Sequence, residues 1–131
     1  MKVLVSILLL ITAIGCSKHT ATSKYAGAWS GTYSSRLVMS NPPMFDTGTL
    51  KITVDANNSA TGTLQSLKGG SPTIMHGTVD PASGAISMGT GNPGGNAMVF
   101  FGLGGTLSNS TGSGTLGYPW ATISGWWVSK N

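Results

Sequence analysis

At 131 residues the chain is long enough for one domain with a real core. Charged residues make up only 8 %, Glu is absent and Gly occurs 20 times, so strong helix formers are scarce. The net charge of +4 arises from a shortage of acids, and its cations stand singly. That excludes the continuous basic stripe with which nucleic-acid binders track phosphates.

The first stretch sets the context for the rest. Lys2 precedes an almost wholly apolar run from Val3 to Ile14, then small residues and Cys16, the only cysteine. The layout is that of an export signal. The run falls short of the about 20 apolar residues a membrane-spanning helix needs. Ala13-Ile14-Gly15-Cys16 resembles the lipobox of bacterial lipoproteins. That resemblance implies cleavage before Cys16, a diacylglycerol on its sulfur and Cys16 as the new N-terminus, with palmitate as a typical chain. Ser17-Lys18 carries no Asp, so the resemblance also implies an outer-membrane anchor with the protein facing the periplasm. Two other readings stay open: Ala13-x-Gly15 fits ordinary small-x-small cleavage and free secretion, and the segment could remain as an uncleaved anchor. A single cysteine forms no internal disulfide, and acylation gives it a purpose.

The expected division is therefore a signal peptide over 1–15, an acylated cysteine with a flexible tether over 16–24, and one domain over 25–131. The tether Ser17 to Lys24 is small and polar, and His19 within it reads as a solvated residue. After removal of 1–15, six cations (Lys18, Lys24, Arg36, Lys51, Lys68, Lys130) face Asp46, Asp55 and Asp80.

From Tyr25 onward a tripeptide of Gly, Thr and an apolar residue keeps returning: Gly31-Thr32-Tyr33, Gly48-Thr49-Leu50, Gly62-Thr63-Leu64, Gly77-Thr78-Val79, Gly105-Thr106-Leu107 and Gly114-Thr115-Leu116. Thr suits the pleat of a strand, and Gly within a strand marks a bend or a close backbone approach. Thr49 to Asp55 alternates cleanly, with Leu50, Ile52 and Val54 on one face. Turn sequences occur at Asp55 to Ser59, Lys68 to Pro72, Asp80 to Gly84, Gly91 to Asn96 and Asn109 to Gly112. They separate strands expected over Thr61–Gln65, Thr73–Val79, Ala85–Met88, Ala97–Leu103, Gly114–Tyr118 and Ala121–Ser129. Met39 to Phe45, with Pro42-Pro43, reads as a loop over one end. The sum is an all-β antiparallel up-and-down meander of about eight strands after an N-terminal signal helix, either a barrel or a small sandwich. Closure into a barrel is favoured because it leaves no sticky edges.

Gly27-Ala28-Trp29, running into Ser30-Gly31-Thr32-Tyr33, resembles the Gly-x-Trp opening strand of the calycins, the lipocalin and avidin-like barrels. The resemblance implies that Trp29 packs across the barrel floor with Lys130 of the last strand over it as a cation–π partner. It names no ligand.

Candidate chemistry is thin. His76 is the one histidine of the expected domain, and no Gly-x-Ser-x-Gly setting surrounds a serine, so nucleophilic catalysis lacks its parts. Asp55 and Asp80 sit in turn sequences where they cap backbone N–H groups, leaving no obvious carboxylate pair for glycoside cleavage. Gly89-Thr90-Gly91-Asn92-Pro93-Gly94 spells Gly-x-Gly-x-x-Gly, but Gly95 to Phe101 directly after it is strand-like and not the helix that dinucleotide binding requires. Met39, Met44, Met75, Met88 and Met98 lack the paired spacing of a copper site and read as gap fillers. No catalysis, cofactor or metal is expected. The aromatic residues carry the binding expectation: Trp29, Phe45, Trp120, Trp126 and Trp127 are the candidates for a ligand or partner. Adjacent Trp126 and Trp127 in a strand must point to opposite faces. The chain thus reads as a lipid-anchored envelope barrel that binds a small apolar ligand inside. The alternative is an interaction module or inhibitor using its loop rim near Trp120, Phe45 and Arg36.

Overall fold

The computed structural model describes residues 22–37, 44–90, 102–117 and 122–131. The expected signal helix, Cys16 and Trp120 lie outside the described residues. Eight strands succeed one another: β1 Gly27–Leu37, β2 Met44–Val54, β3 Ser59–Ser66, β4 Thr73–Val79, β5 Ala85–Gly89, β6 Gly102–Leu107, β7 Thr111–Gly117 and β8 Thr122–Lys130. Each pairs antiparallel with the next, and β8 returns to β1 with Trp29 opposite Lys130 and Tyr33 opposite Trp126. The meander therefore closes into a barrel, and the sandwich alternative falls away.

Two expectations about boundaries need correction. Phe45 does not belong to a loop: β2 begins at Met44, and Phe45 pairs with Arg36 of β1. Pro42 and Pro43 have no N–H to give a ladder, and β2 starts directly after them. The sixth strand is described over Gly102–Leu107 and runs past the expected end at Leu103, while Ala97 to Phe101 lie outside the described residues. Its small, glycine-rich positions obscure an alternation in which Leu103 and Leu107 both point inward.

The recurring tripeptide explains how the sheet curls. In all six copies Thr lies on the outer face, while the next residue, Tyr33, Leu50, Leu64, Val79, Leu107 or Leu116, is buried in the core. Glycine shares the inner face with that apolar residue. At Gly31, Gly48, Gly77, Gly105 and Gly114 a Cβ atom would fall within 2.2 Å of a backbone oxygen on the neighbouring strand. These are close approaches that no larger residue permits, and they concentrate the bending a small barrel requires.

One core of buried side chains lines the interior, including Trp29, Leu50, Ile52, Met75, Leu103, Leu107 and Trp126, each 2 % exposed or less. Strand directions put the turns 55–58, 80–84 and 108–110 at one end, with the start of β1 and the finish of β8. That end is sealed. Tyr25 is buried there, and Gly84, at φ 76°, lies so close that an added Cβ would meet the Tyr25 hydroxyl at 2.7 Å. The Trp29 indole N–H donates to the Tyr25 carbonyl at 2.9 Å. Lys130 Nζ sits 5.5 Å from the Trp29 ring centroid and donates to the Lys24 carbonyl at 3.1 Å.

The outer face is paved with hydroxyls: Thr32, Thr47, Thr49, Thr53, Thr61, Thr78, Thr106, Thr111, Ser113 and Thr115 are all exposed. An apolar interior under a hydroxyl-bearing surface is the inverse of a transmembrane barrel, whose lipid face is apolar.

Candidate functional site

The end opposite the seal carries the connections 38–43, 67–72, 90–101 and 118–121. Here the inner face turns polar. Continuing the inward alternation of β2 upward from Leu50 and Gly48 brings Asp46 to the inside of the rim. The Tyr33 hydroxyl donates to Asp46 Oδ2 at 2.8 Å, and the Ser66 hydroxyl donates to Oδ1 at 2.5 Å. Ser35 stands opposite Asp46 on one side and opposite Ser124 on the other. Ser124 Oγ is buried and has no hydrogen-bond partner among the described residues. Four strands thus contribute an arc of Ser124, Ser35, Asp46 and Ser66, with the Tyr33 phenol tied to its acid.

The acid in this arc is ionised. Partial burial pushes its carboxyl upward, but the Ser66 and Tyr33 hydroxyls, the Lys68 charge and the Thr47 N–H outweigh that and hold it below the ordinary range. Tyr33 shifts the other way: desolvation, with the Asp46 carboxylate accepting its proton and repelling a phenolate, pushes it up to about 12. The folded phenol keeps its proton between pH 10 and about 12, where an unfolded one loses it, so stability falls as pH rises across that window. For Asp46 the stabilising contribution is present above the usual carboxylate range and is lost as pH falls through its folded value. Absorbance at the tyrosinate band is the check. One tyrosine titrates near pH 12, and Asp46→Asn moves it part of the way back because desolvation remains.

The other two carboxylates do the turn work expected of them. Asp55 Oδ1 accepts from the backbone of Asn57 and Ser59 at 2.8 and 2.9 Å. Asp80 accepts from Ala82 N–H at 2.9 Å and from the Ser83 hydroxyl at 2.8 Å. Both lie at the sealed end, remote from Asp46. His76 is exposed on the outer face of β4, away from the polar arc.

The aromatic candidates are dispersed. Trp29 closes the sealed end, and Trp126 is fully buried, its indole N–H shared between the carbonyls of Gly104 and Thr115 at 3.2 Å each. Trp127, its neighbour in sequence, is 57 % exposed on the outer face, as strand alternation requires. Phe45 is exposed at the outer rim, with the Arg36 guanidinium 5.5 Å from its ring centroid. Nearby, Lys68 Nζ donates to the Phe45 carbonyl and Leu67 N–H donates to the Thr47 carbonyl at 2.9 Å. Asp46 is not among the aromatic-centred candidates, although parity with Leu50 marks it as an inward carboxylate. Ser35, Ser66 and Ser124 carry no such signal. Comparison with known protein families and with characterised proteins finds no match.

Proposed function

We propose that this chain is a non-catalytic binding protein of the cell envelope, held to the outer membrane by a lipid on Cys16. It takes a small, mainly apolar ligand through the rim opposite the seal. The observation that carries this reading is the polar arc around Asp46, set on the inner face of an otherwise apolar barrel at the end with the longer connections. A carboxylate on an inner face is costly to desolvate, and here it sits where one end of a ligand would arrive. Below it, Met75 and Met88 meet over Gly62, whose Cβ would lie 2.9 Å from the Met88 methyl. Methionine repacks easily, so these two side chains are the ones a ligand displaces.

The test has two parts. Intact mass of protein purified from envelopes should show a chain beginning at acylated Cys16, and Cys16→Ser should release it from the membrane fraction. The mature domain should bind the apolar dye N-phenyl-1-naphthylamine saturably, and Met88→Trp should block it by filling the interior. Absence of saturable binding, or binding indifferent to Met88→Trp, overturns the ligand reading.

A second reading rests on the outer rim. Phe45 and Leu67 are both exposed there, with Arg36 against the Phe45 ring, and aromatic and Arg side chains are the ones protein contacts enrich. Phe45→Ala with Arg36→Ala should abolish capture of an envelope partner while leaving dye binding intact.

A further inference from the structure

The Trp127 side chain stands on the outer wall of β8, and its surroundings are specific. The six-membered ring of the indole lies over Gly125, where a Cβ would come within 3.1 Å of Cη2 and 3.3 Å of Cζ2. Glycine at that position is what lets the ring settle along the sheet. Beside it runs a depression of about 410 Å³ lined by Thr106, Ser108, Thr111, Ser113 and Trp127, with Gly112 and Val128 at its base. The volume falls within the range of small-molecule clefts, about 300–1,000 Å³. Its lining has four hydroxyls and one large aromatic ring, and no charged side chain.

We infer that this outer depression binds a pyranose ring of a neutral polysaccharide, stacked on Trp127. A sugar ring presents apolar C–H groups on its face and hydroxyls around its edge. The indole takes the face; Thr106 and Ser113 take the edge as donors and acceptors, and the Ser108 hydroxyl, which donates to the Thr111 carbonyl at 2.9 Å, adds an acceptor beside the Thr111 hydroxyl. The alternatives fit less well. A protein partner needs a contiguous apolar core, and the other exposed large apolar side chains among the described residues, Phe45, Leu67 and Ile74, lie on other elements. A lipid surface needs basic residues around the aromatic anchor, and the lining has none. This site is separate from the barrel interior, so its fate is independent of the ligand reading above.

The experiment is calorimetric titration of the mature domain with cellohexaose and chitohexaose, followed by NMR of the tryptophan indole signals. At least one sugar should bind saturably and shift the Trp127 signal. Trp127→Ala should weaken binding about tenfold or more, and Trp127→Phe should recover part of it because the stacking face returns. Trp127→Ala leaves the fold intact by circular dichroism, since the side chain is mostly in solvent. No saturable binding of either sugar at millimolar concentration overturns the inference. Binding that Trp127→Ala leaves unchanged does the same, as does a Trp127 signal that responds to anionic phospholipid vesicles and not to sugar.

Discussion

Replacing Gly48 by alanine should destabilise the barrel by about 3 kcal/mol or more, although it adds a single methyl group. Its Cβ would sit 2.0 Å from the Gln65 carbonyl oxygen and 2.6 Å from Tyr33 Cε1. The first obstacle is backbone of the neighbouring strand, which moves only if the β2–β3 ladder opens. The second is a buried ring, register-paired with the glycine itself. Overpacking typically costs about 1–3 kcal/mol, and rigid neighbours on two sides push the cost to the top of that range or past it. Gly104→Ala is the control. No atom lies within 4 Å of a Cβ there, so its stability should stay within about 0.5 kcal/mol of the parent. Urea midpoints for the two variants decide the matter. Equal midpoints would mean that the close strand approaches do not govern the curvature.

The second large effect separates two adjacent tryptophans. Trp126→Ala removes a fully buried ring and leaves the Gly104 and Thr115 carbonyls without their shared donor. Truncating a buried Trp costs about 3–5 kcal/mol, and two carbonyls robbed of their partner add to it. Against a total stability of about 5–15 kcal/mol, the variant is marginal or unfolded. Trp127→Ala, one residue on, should cost no more than about 1 kcal/mol because its ring is mostly in solvent. Thermal melts of the two proteins should therefore differ by many degrees. If they coincide, the inward and outward assignment of β8 is wrong.

Much of this fold is legible in the chain because both of its rules are local. Alternation over Thr49–Val54 marks which face is buried, and the Gly-Thr-apolar tripeptide repeats that rule in five further strands. The tripeptide also names the glycines where strands crowd. Where the alternating residues are small, as in Gly102-Leu103-Gly104-Gly105, the apolar signal is diluted and the expected strand stops too early, at Leu103. Phe45 is misjudged for a related reason: Pro42-Pro43 draws the expected loop forward, whereas pairing with Arg36 extends β2 back to Met44. The rim site is harder to read. Asp46 meets Ser66 across a separation of 20 residues, and the Ser35–Ser124 pairing exists only because the last strand returns to the first. The first depends on the register of the β2–β3 hairpin and the second on closure, and no local pattern encodes either. The aromatic residues mislead for the opposite reason: they are conspicuous in sequence, but the barrel sends them in different directions.

The pairing of Trp29 with Lys130 has a bearing on how the molecule comes to exist. Its opening strand finds its second neighbour only after the whole remaining polypeptide has emerged. Such late, long-distance pairing slows folding. An N-terminal piece released early has two raw flanks and half a core, so it stays unfolded. For a chain with a leader of the kind proposed, that delay is useful, because a translocation pore admits loose polypeptide and rejects a finished cylinder. The nine residues of β8 then act as the latch, and a truncation that removes them should leave material that proteases clear at once.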